Sequence, residues 1–248
     1  MFAPHRTNFF ESQTKMVEQI TLYSAKVCPW AHRTELALKE SGLPYKRYEI
    51  DLANKPEWYA PKVNPASKVP ALAALPRLRK LAESYVLLEF IADLSASTKP
   101  LLPSDPIARA KARFFVETVI SKWGSVWYGI QNRGDDPSGI LPAIEVLQNL
   151  LPAEGYAVGD WSIADAAVTP FIARAFVSLK NDAGAYAEGS GKKLYETLQS
   201  DPKYARLRQY YADVSGRDSF KETFFEDYLA ERYIERAGTL RAEKKAKA

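Results

Sequence analysis

The chain has one cysteine and two histidines in 248 residues, and the cysteine sits where a thiol can be activated. It lies in Tyr23-Ser-Ala-Lys-Val-Cys28-Pro-Trp-Ala-His-Arg33, where an alternating pattern gives way to a helical one. Pro29 suits the first position of a helix, since its missing N–H costs nothing there, so Cys28 is predicted at the helix edge. A sulfur so placed faces unpaired backbone N–H groups and the positive end of the helix dipole. Both favour the thiolate, and such placement lowers a cysteine pKa from about 8.5 to roughly 3.5–7.5. Lys26 and Arg33 are cationic neighbours in sequence. The bland reading of a lone cysteine is a small buried hydrophobe. The strand-to-helix junction and the following proline weigh against it.

A dithiol oxidoreductase would carry a resolving cysteine three residues on, but that position is Ala31. A mixed disulfide on Cys28 therefore needs a free small thiol to finish the exchange, and glutathione is the abundant cytosolic one. Two later junctions offer a tripeptide its contacts. Val69-Pro70 opens a predicted strand, where proline forfeits a ladder bond unless it serves a turn, a cis one included. A cis bond would aim the Val69 N–H and C=O outward toward an extended peptide. Glu83-Ser84 opens a predicted helix, where Ser84 can cap and the hydroxyl and N–H groups suit a carboxylate. Each pair alone has an ordinary reading, an edge-strand proline and a simple cap. The three features in order, one per junction, argue for a common purpose.

The elements that must hold these residues divide the chain in two. Gln19–Ser24 alternates like a strand, Pro29–Ser41 is helical with Gly42 and Pro44 beyond it, and Tyr45–Ile50 alternates again. Asp51–Ser67 is irregular, with Pro56, Pro61 and Pro65. Val69–Leu72 and Arg77–Leu81 are short strands about a turn at Pro76, and Ser84–Leu94 is a helix. The order β-α-β, irregular segment, β-β-α predicts a small α/β domain over residues 19–96. Thr98–Pro106, with three prolines, marks a linker over residues 97–106. Beyond it Ala112, Phe115, Val116, Val119, Ile120 and Trp123 form an amphipathic stripe, and Ile140–Leu151 repeats the pattern. Ser162–Leu179 is apolar nearly all round and opens on Ser162-x-x-Asp165, a capping-box signature. Two or more helices follow between Lys192 and Ala237. Residues 107–240 are therefore expected to form an all-helical bundle, flanked by an N-terminal extension, 1–18, and a basic tail, 241–248.

Composition excludes several classes. At 46% apolar and 26% charged this is an ordinary globular chain, long enough to fold without staples. The net charge of +4 is mild, and Arg241, Lys244, Lys245 and Lys247 supply much of it, so no nucleic-acid partner is expected. No apolar run approaches the roughly 18–20 residues that cross a bilayer, and Met1–Lys15 lacks a signal-peptide core. One Cys and two His build neither an internal disulfide nor a zinc site, so no metal is expected. A single thiol suits a reducing compartment, the cytoplasm by default. His5 lies in the leader, and His32, within the first helix, is expected to be exposed.

The chain resembles the cytosolic glutathione transferases, and among them the omega-like class, most of all its fungal branch. The match is carried by Cys28-Pro29-Trp30-Ala31, Pro56-Glu57-Trp58, Asn64-Pro65, Val69-Pro70-Ala71-Leu72 and Glu83-Ser84, with Gly159-Asp160-x-Ser162-x-x-Asp165 in the second half. It is dense over residues 19–96 and loose over 100–235. The resemblance implies a thioredoxin-like N-terminal domain, an all-α C-terminal domain and glutathione as co-substrate. It makes Cys28 the catalytic residue, with Pro29 and Trp30 beside it. It gives Val69, at Pro70, the cysteinyl backbone of glutathione, and Glu83 and Ser84 the γ-glutamyl end. Lys62 and Lys68 compete for the glycyl carboxylate, because the Trp58–Asn64 spacing is one residue longer than usual. Trp30 replaces the family's Phe. The implied activity is glutathione-dependent thiol transfer, deglutathionylation or dehydroascorbate reduction. Ser24, at the strand end, is a rival catalytic hydroxyl that would instead support conjugation to electrophiles. Trp127 and Tyr128, past a possible kink at Gly124, are candidates to hold a small aromatic or hydrophobic ligand, whereas Trp123 reads as core. A ligandin-like binder of aromatic compounds is the reading from another class. A homodimer is implied by resemblance alone.

Overall fold

A computed structural model describes residues 17–76 and 78–247; the expectations for Met1–Lys15, His5 and Arg77 lie outside the described residues. Strand β1 (Val17–Ser24) is followed by helix α1 (Pro29–Ser41), strand β2 (Tyr45–Glu49), a one-turn helix α2 (Tyr59–Lys62), strands β3 (Ala71–Pro76) and β4 (Leu78–Ala82), and helix α3 (Ser84–Ser95). The sheet order is β2-β1-β3-β4. β1 runs parallel to β2, with Ile20 opposite Tyr45 and Ser24 opposite Glu49, as a crossover through α1 requires. β1–β3 and β3–β4 are antiparallel. This is the thioredoxin-like arrangement.

Helix α1 spans what its pattern predicts, and its ends show why. Pro29 sits in the first turn, and Gly42 adopts the left-handed conformation at φ 70° with its N–H donating to Lys39 O, a stop that costs glycine little. The irregular stretch after β2 is held by a second small core of Ile50, Tyr59, Val63 and Ala71, with Tyr23, Trp58 and Val69 packed on it. Its aromatic rings meet edge to face, Tyr23 and Tyr59 at 5.8 Å.

The remaining helices are α4 (Pro106–Tyr128), α5 (Leu141–Leu150), α6 (Ile163–Lys180), α7 (Ser190–Ser200), α8 (Ala205–Ser215), α9 (Asp218–Thr223) and α10 (Glu226–Lys247). Asp105 caps α4 by accepting the Ala108 N–H at 2.8 Å. The helix runs unbroken through Gly124 and ends in a π turn, Gly129–Arg133. The predicted kink is therefore not a helix break. The residues expected as a basic tail continue α10 as far as Lys247.

Helix α6 is buried from Ile163 to Leu179, which is why its sequence lacks a polar face. Its capping box is complete: Ser162 accepts the Ala164 N–H, and Asp165 accepts the Ser162 N–H at 2.9 Å. Asp165 also accepts from Ala157 N–H and the Tyr210 hydroxyl. Burial nonetheless pushes its carboxyl up to about 6. α1 packs against both α3 and α6, so the thiol-bearing helix is the joint between sheet and bundle. None of the described helices is long and apolar enough to cross a membrane.

Candidate active site

Cys28 occupies the N-cap of α1 in extended conformation, its own N–H donating to Ala25 O at 2.9 Å. The residue is half-buried. Its sulfur lies 3.9 Å from the carbonyl oxygen of Val69, and the Val69–Pro70 bond is cis. The turn carrying Val69 is clamped from behind: the Tyr59 hydroxyl and the Asn64 side-chain amide each donate to Lys68 O at 2.8 Å. This gives the Trp58–Tyr59 and Asn64–Pro65 segments their purpose.

Beside this turn opens a cavity of about 240 Å³ lined by Trp30, Arg33, Asn64, Lys68, Val69, Pro70, Glu83 and Ser84. Five residues singled out in the sequence as glutathione contacts beyond the thiol motif, Lys68, Val69, Pro70, Glu83 and Ser84, therefore meet in one place. Lys62 lies at the end of α2, is exposed, and is not part of the lining. Glu83, not Ser84, is the N-cap of α3, without a side-chain cap bond, at φ 69°, a conformation that costs a non-glycine residue about 1 kcal/mol or more. Ser84 is the first helical residue and is buried; its hydroxyl accepts from Arg33 Nη2 at 2.5 Å.

Arg33 is the lining residue that sequence reasoning undervalued. It is 5% exposed, its Nε has no partner, and its guanidinium lies 4.6 Å from the Trp30 ring. No ion pair among the described residues involves it. Burial lowers its pKa to about 10, against the opposing pull of Tyr85, Cys28 and Glu83.

Electrostatics at the sulfur correct one expectation. Burial raises the Cys28 pKa above its ordinary value, opposed by the Ala31 N–H, Arg174, the Trp30 N–H and Arg33. The helix N-terminus acts with the predicted sign; desolvation outweighs it. Four further placements differ from or extend the reading. Ser24 is 1% exposed with its hydroxyl unpartnered, and it does not line the cavity. His32 is buried, not exposed, with Nε2 at 2.9 Å from Thr223 Oγ1. Trp127 packs on the core against Trp123, while Tyr128 is exposed beneath Arg133; neither lines the cavity. The aromatic ring that lines the cavity is instead Trp30, which packs edge to face on the buried Phe171 at 4.7 Å.

A larger groove of about 460 Å³ lies at the other end of α1, between Lys39, Glu40 and Arg217. Four of its charges pair, Lys39 with Glu222 and Arg217 with Glu40, and α1 separates it from Cys28 by about 17 Å. Among the described residues no group of three His, Cys, Asp or Glu could hold a metal ion.

A thiol at the start of the first helix of a thioredoxin-like sheet, a cis-proline turn opposite it and an all-helical second domain define a glutathione transferase, and the chain belongs to that family. The model of the glutathione S-transferase N-terminal domain matches residues 27–94. The likeness is to the omega class. The crystal structure of glutathione transferase Omega 1C from Trametes versicolor superposes with a TM-score of 0.85 at 50% identity, over 90% of this chain and 98% of that one. Omega 2S from the same organism, in complex with 2,4-dihydroxybenzophenone, gives 0.80 at 38% identity, over 86% and 97%. Human glutathione S-transferase omega-2 is 36% identical over 98 residues, 40% of this chain and 39% of that protein. The chain thus spans about two fifths of the length of the omega-class curated relatives it matches.

Proposed function

We propose that the protein carries out glutathione-dependent thiol transfer through Cys28, reducing glutathionyl mixed disulfides, removing glutathione from conjugates and reducing dehydroascorbate. The observation that carries this reading is the position of the sole thiol: at the start of α1, 3.9 Å from Val69 O and beside the Arg33–Ser84 cavity. Val69 pairs with the cysteinyl backbone of glutathione, Glu83 and Ser84 hold its γ-glutamyl end, and Lys68 meets its glycyl carboxylate.

The Cys28 thiolate attacks the glutathionyl sulfur of R–S–S–G. The disulfide breaks, R–S⁻ leaves and takes a proton, and Cys28–S–S–G remains. With Ala31 in place of a resolving cysteine, the thiolate of a second glutathione attacks this disulfide, releasing glutathione disulfide and restoring Cys28. Incubation with oxidised glutathione should add one glutathionyl group to the intact mass, and Cys28→Ser should abolish both adduct and turnover. Turnover surviving in Cys28→Ser but lost in Ser24→Ala would transfer the role to Ser24, a conjugating hydroxyl that its burial disfavours.

The second substrate of this reading is a flat aromatic or hydrophobic compound stacked on the exposed Trp30 ring. The Trametes Omega 2S complex with a benzophenone supports that chemistry. Tight binding of an aromatic dye by a protein without turnover would favour the ligandin reading. Exposed Val86 and Phe114 flank a bidentate Arg113–Glu89 pair joining α3 and α4, which supports a homodimer; light scattering at the mass of one chain would contradict it. The two-domain division about residues 97–106 and a cytoplasmic location, where glutathione stays reduced, belong to the same proposal.

A further inference from the structure

Where the Cys28 sulfur sits depends on the turn before it, and a single side chain from the second domain holds that turn. Arg174, on α6, donates from Nη2 to Lys26 O at 2.8 Å and from Nε to Val27 O at 3.1 Å. Its Nη1 donates to His32 Nδ1 and to Pro170 O, both at 3.1 Å. An arginine only donates, so His32 carries its proton on Nε2 and donates from there to Thr223 Oγ1, which in turn donates to Ser219 O at 2.7 Å. His32 also lies 5.7 Å from the Phe224 ring, nearly parallel to it. The turn before Cys28 is thereby tied to α6 and to the segment leading into α10.

Arg174 is 3% exposed, and no ion pair among the described residues involves it. Glu35, whose charge reaches it, is engaged by Arg47 at 2.9 Å. A buried charge without an opposite partner is destabilising. Here all four hydrogen bonds go to neutral acceptors, so the positive charge is hydrogen-bonded and left uncompensated. The groups whose charges reach it are Cys28 and Glu35 from the first domain, Tyr211 from α8 and Tyr233 from α10, together with neutral His32. The groups reaching Cys28 are Arg33 and Arg174, and the tyrosines Tyr59 and Tyr233.

We propose that Arg174 is a positioning residue for Cys28, fixing the Lys26–Val27 carbonyls with its planar fork and offsetting the negative charge of the reacting sulfur. The proposal rests on Cys28 as the reacting thiol. It assigns to the second domain a part in the chemistry of the first. Lysine carries the charge without the fork, which separates the two contributions.

The test measures the pH dependence of Cys28 alkylation by iodoacetamide and the glutathione-dependent turnover of wild type, Arg174→Gln and Arg174→Lys, with folding checked by circular dichroism. In Arg174→Gln the alkylation inflection should rise by about one pH unit and the rate at pH 7 fall about tenfold, with the KM for glutathione little changed. Arg174→Lys should keep the wild-type inflection yet lose about fivefold or more in kcat, because one ammonium cannot hold both carbonyls and His32. A folded Gln variant with the wild-type inflection overturns the proposal. Should Gln not fold, the Lys variant decides alone: wild-type kcat, or an inflection raised by about a unit, overturns it. If wild type takes up no glutathionyl group, the Cys28 reading fails, while the alkylation profiles still judge Arg174.

Discussion

The Cys28 sulfur lies within hydrogen-bonding reach of the Val69 carbonyl, at 3.9 Å, so the thiol touches the cis-proline turn. A carbonyl oxygen accepts only from the protonated thiol. That contact and the surrounding protein therefore favour the neutral sulfur, while two helix N–H groups and two guanidinium groups favour the charged one.

At Cys28 desolvation prevails. Initial rates of alkylation by iodoacetamide, followed by intact mass between about pH 6 and 10, should inflect above the ordinary cysteine value of about 8.5. A rate already at its plateau near neutral pH contradicts this balance of burial against charge.

Arg33 and Ser84 share one short hydrogen bond at 2.5 Å, and no ion pair among the described residues involves the buried Arg33 charge. On the proposed function, the anion expected at this corner is the carboxylate of a γ-glutamyl group. Arg33→Leu should raise the KM for glutathione about tenfold to a hundredfold, the worth of a hydrogen bond to a charged group. Ser84→Ala should raise it less, since Arg33 remains. Unchanged KM values in both would remove the γ-glutamyl assignment.

The sequence left two lysines competing, and the cavity favours one. Lys68 lines it and sits on the turn clamped by Tyr59 and Asn64, while Lys62 ends α2 outside it. Lys68→Met should raise the KM for glutathione several-fold, and more than Lys62→Met does. The reverse order would mean that the glycyl end leaves the cavity toward α2.

What the sequence made legible was local. Helix α1 is marked by Pro29 at one end and Gly42 at the other, the buried α6 by its apolar run and its Ser162–Asp165 cap, and each junction residue by the element it opens. What it hid depends on contacts across many residues. Arg174 reaches Lys26 over 148 positions and His32 reaches Thr223 over 191, and neither pairing leaves a periodic trace. A buried histidine among charged neighbours looks, in one dimension, like an exposed one. The direction of the Cys28 pKa is hidden for the same cause: a helix start is visible in sequence, but the burial around its first residue is not. Trp127 and Tyr128 have the aromaticity and the position past Gly124 that a ligand slot would use, yet the α4 helix carries Trp127 into the core beside Trp123.

The joint between the two domains offers the cleanest pH dependence. At the C-terminal end of α1, Glu40 accepts from Arg217 Nε at 2.6 Å and Nη2 at 2.7 Å, and from Ser219 Oγ at 2.5 Å. Arg217 also donates to the Tyr156 hydroxyl and lies over the Trp161 ring, so it binds the α8–α9 connection to the first domain. Burial alone would raise the Glu40 carboxyl; the Arg217 and Ser219 hydrogen bonds overcome it and hold the group below its ordinary value. A carboxylate whose folded pKa is depressed contributes stability above its unfolded pKa, about 4.3, and loses it as pH falls through the folded value. Glu40→Gln removes that charge while keeping the shape, so it should cost about 2 kcal/mol at pH 7, or about 4–8 °C in Tm. The difference from wild type should close as pH drops below about 4, because a protonated Glu40 offers little more than the amide. Thermal unfolding of both proteins from about pH 3 to 7 measures it, and a gap that stays constant across that range would mean the pair contributes shape and no charge.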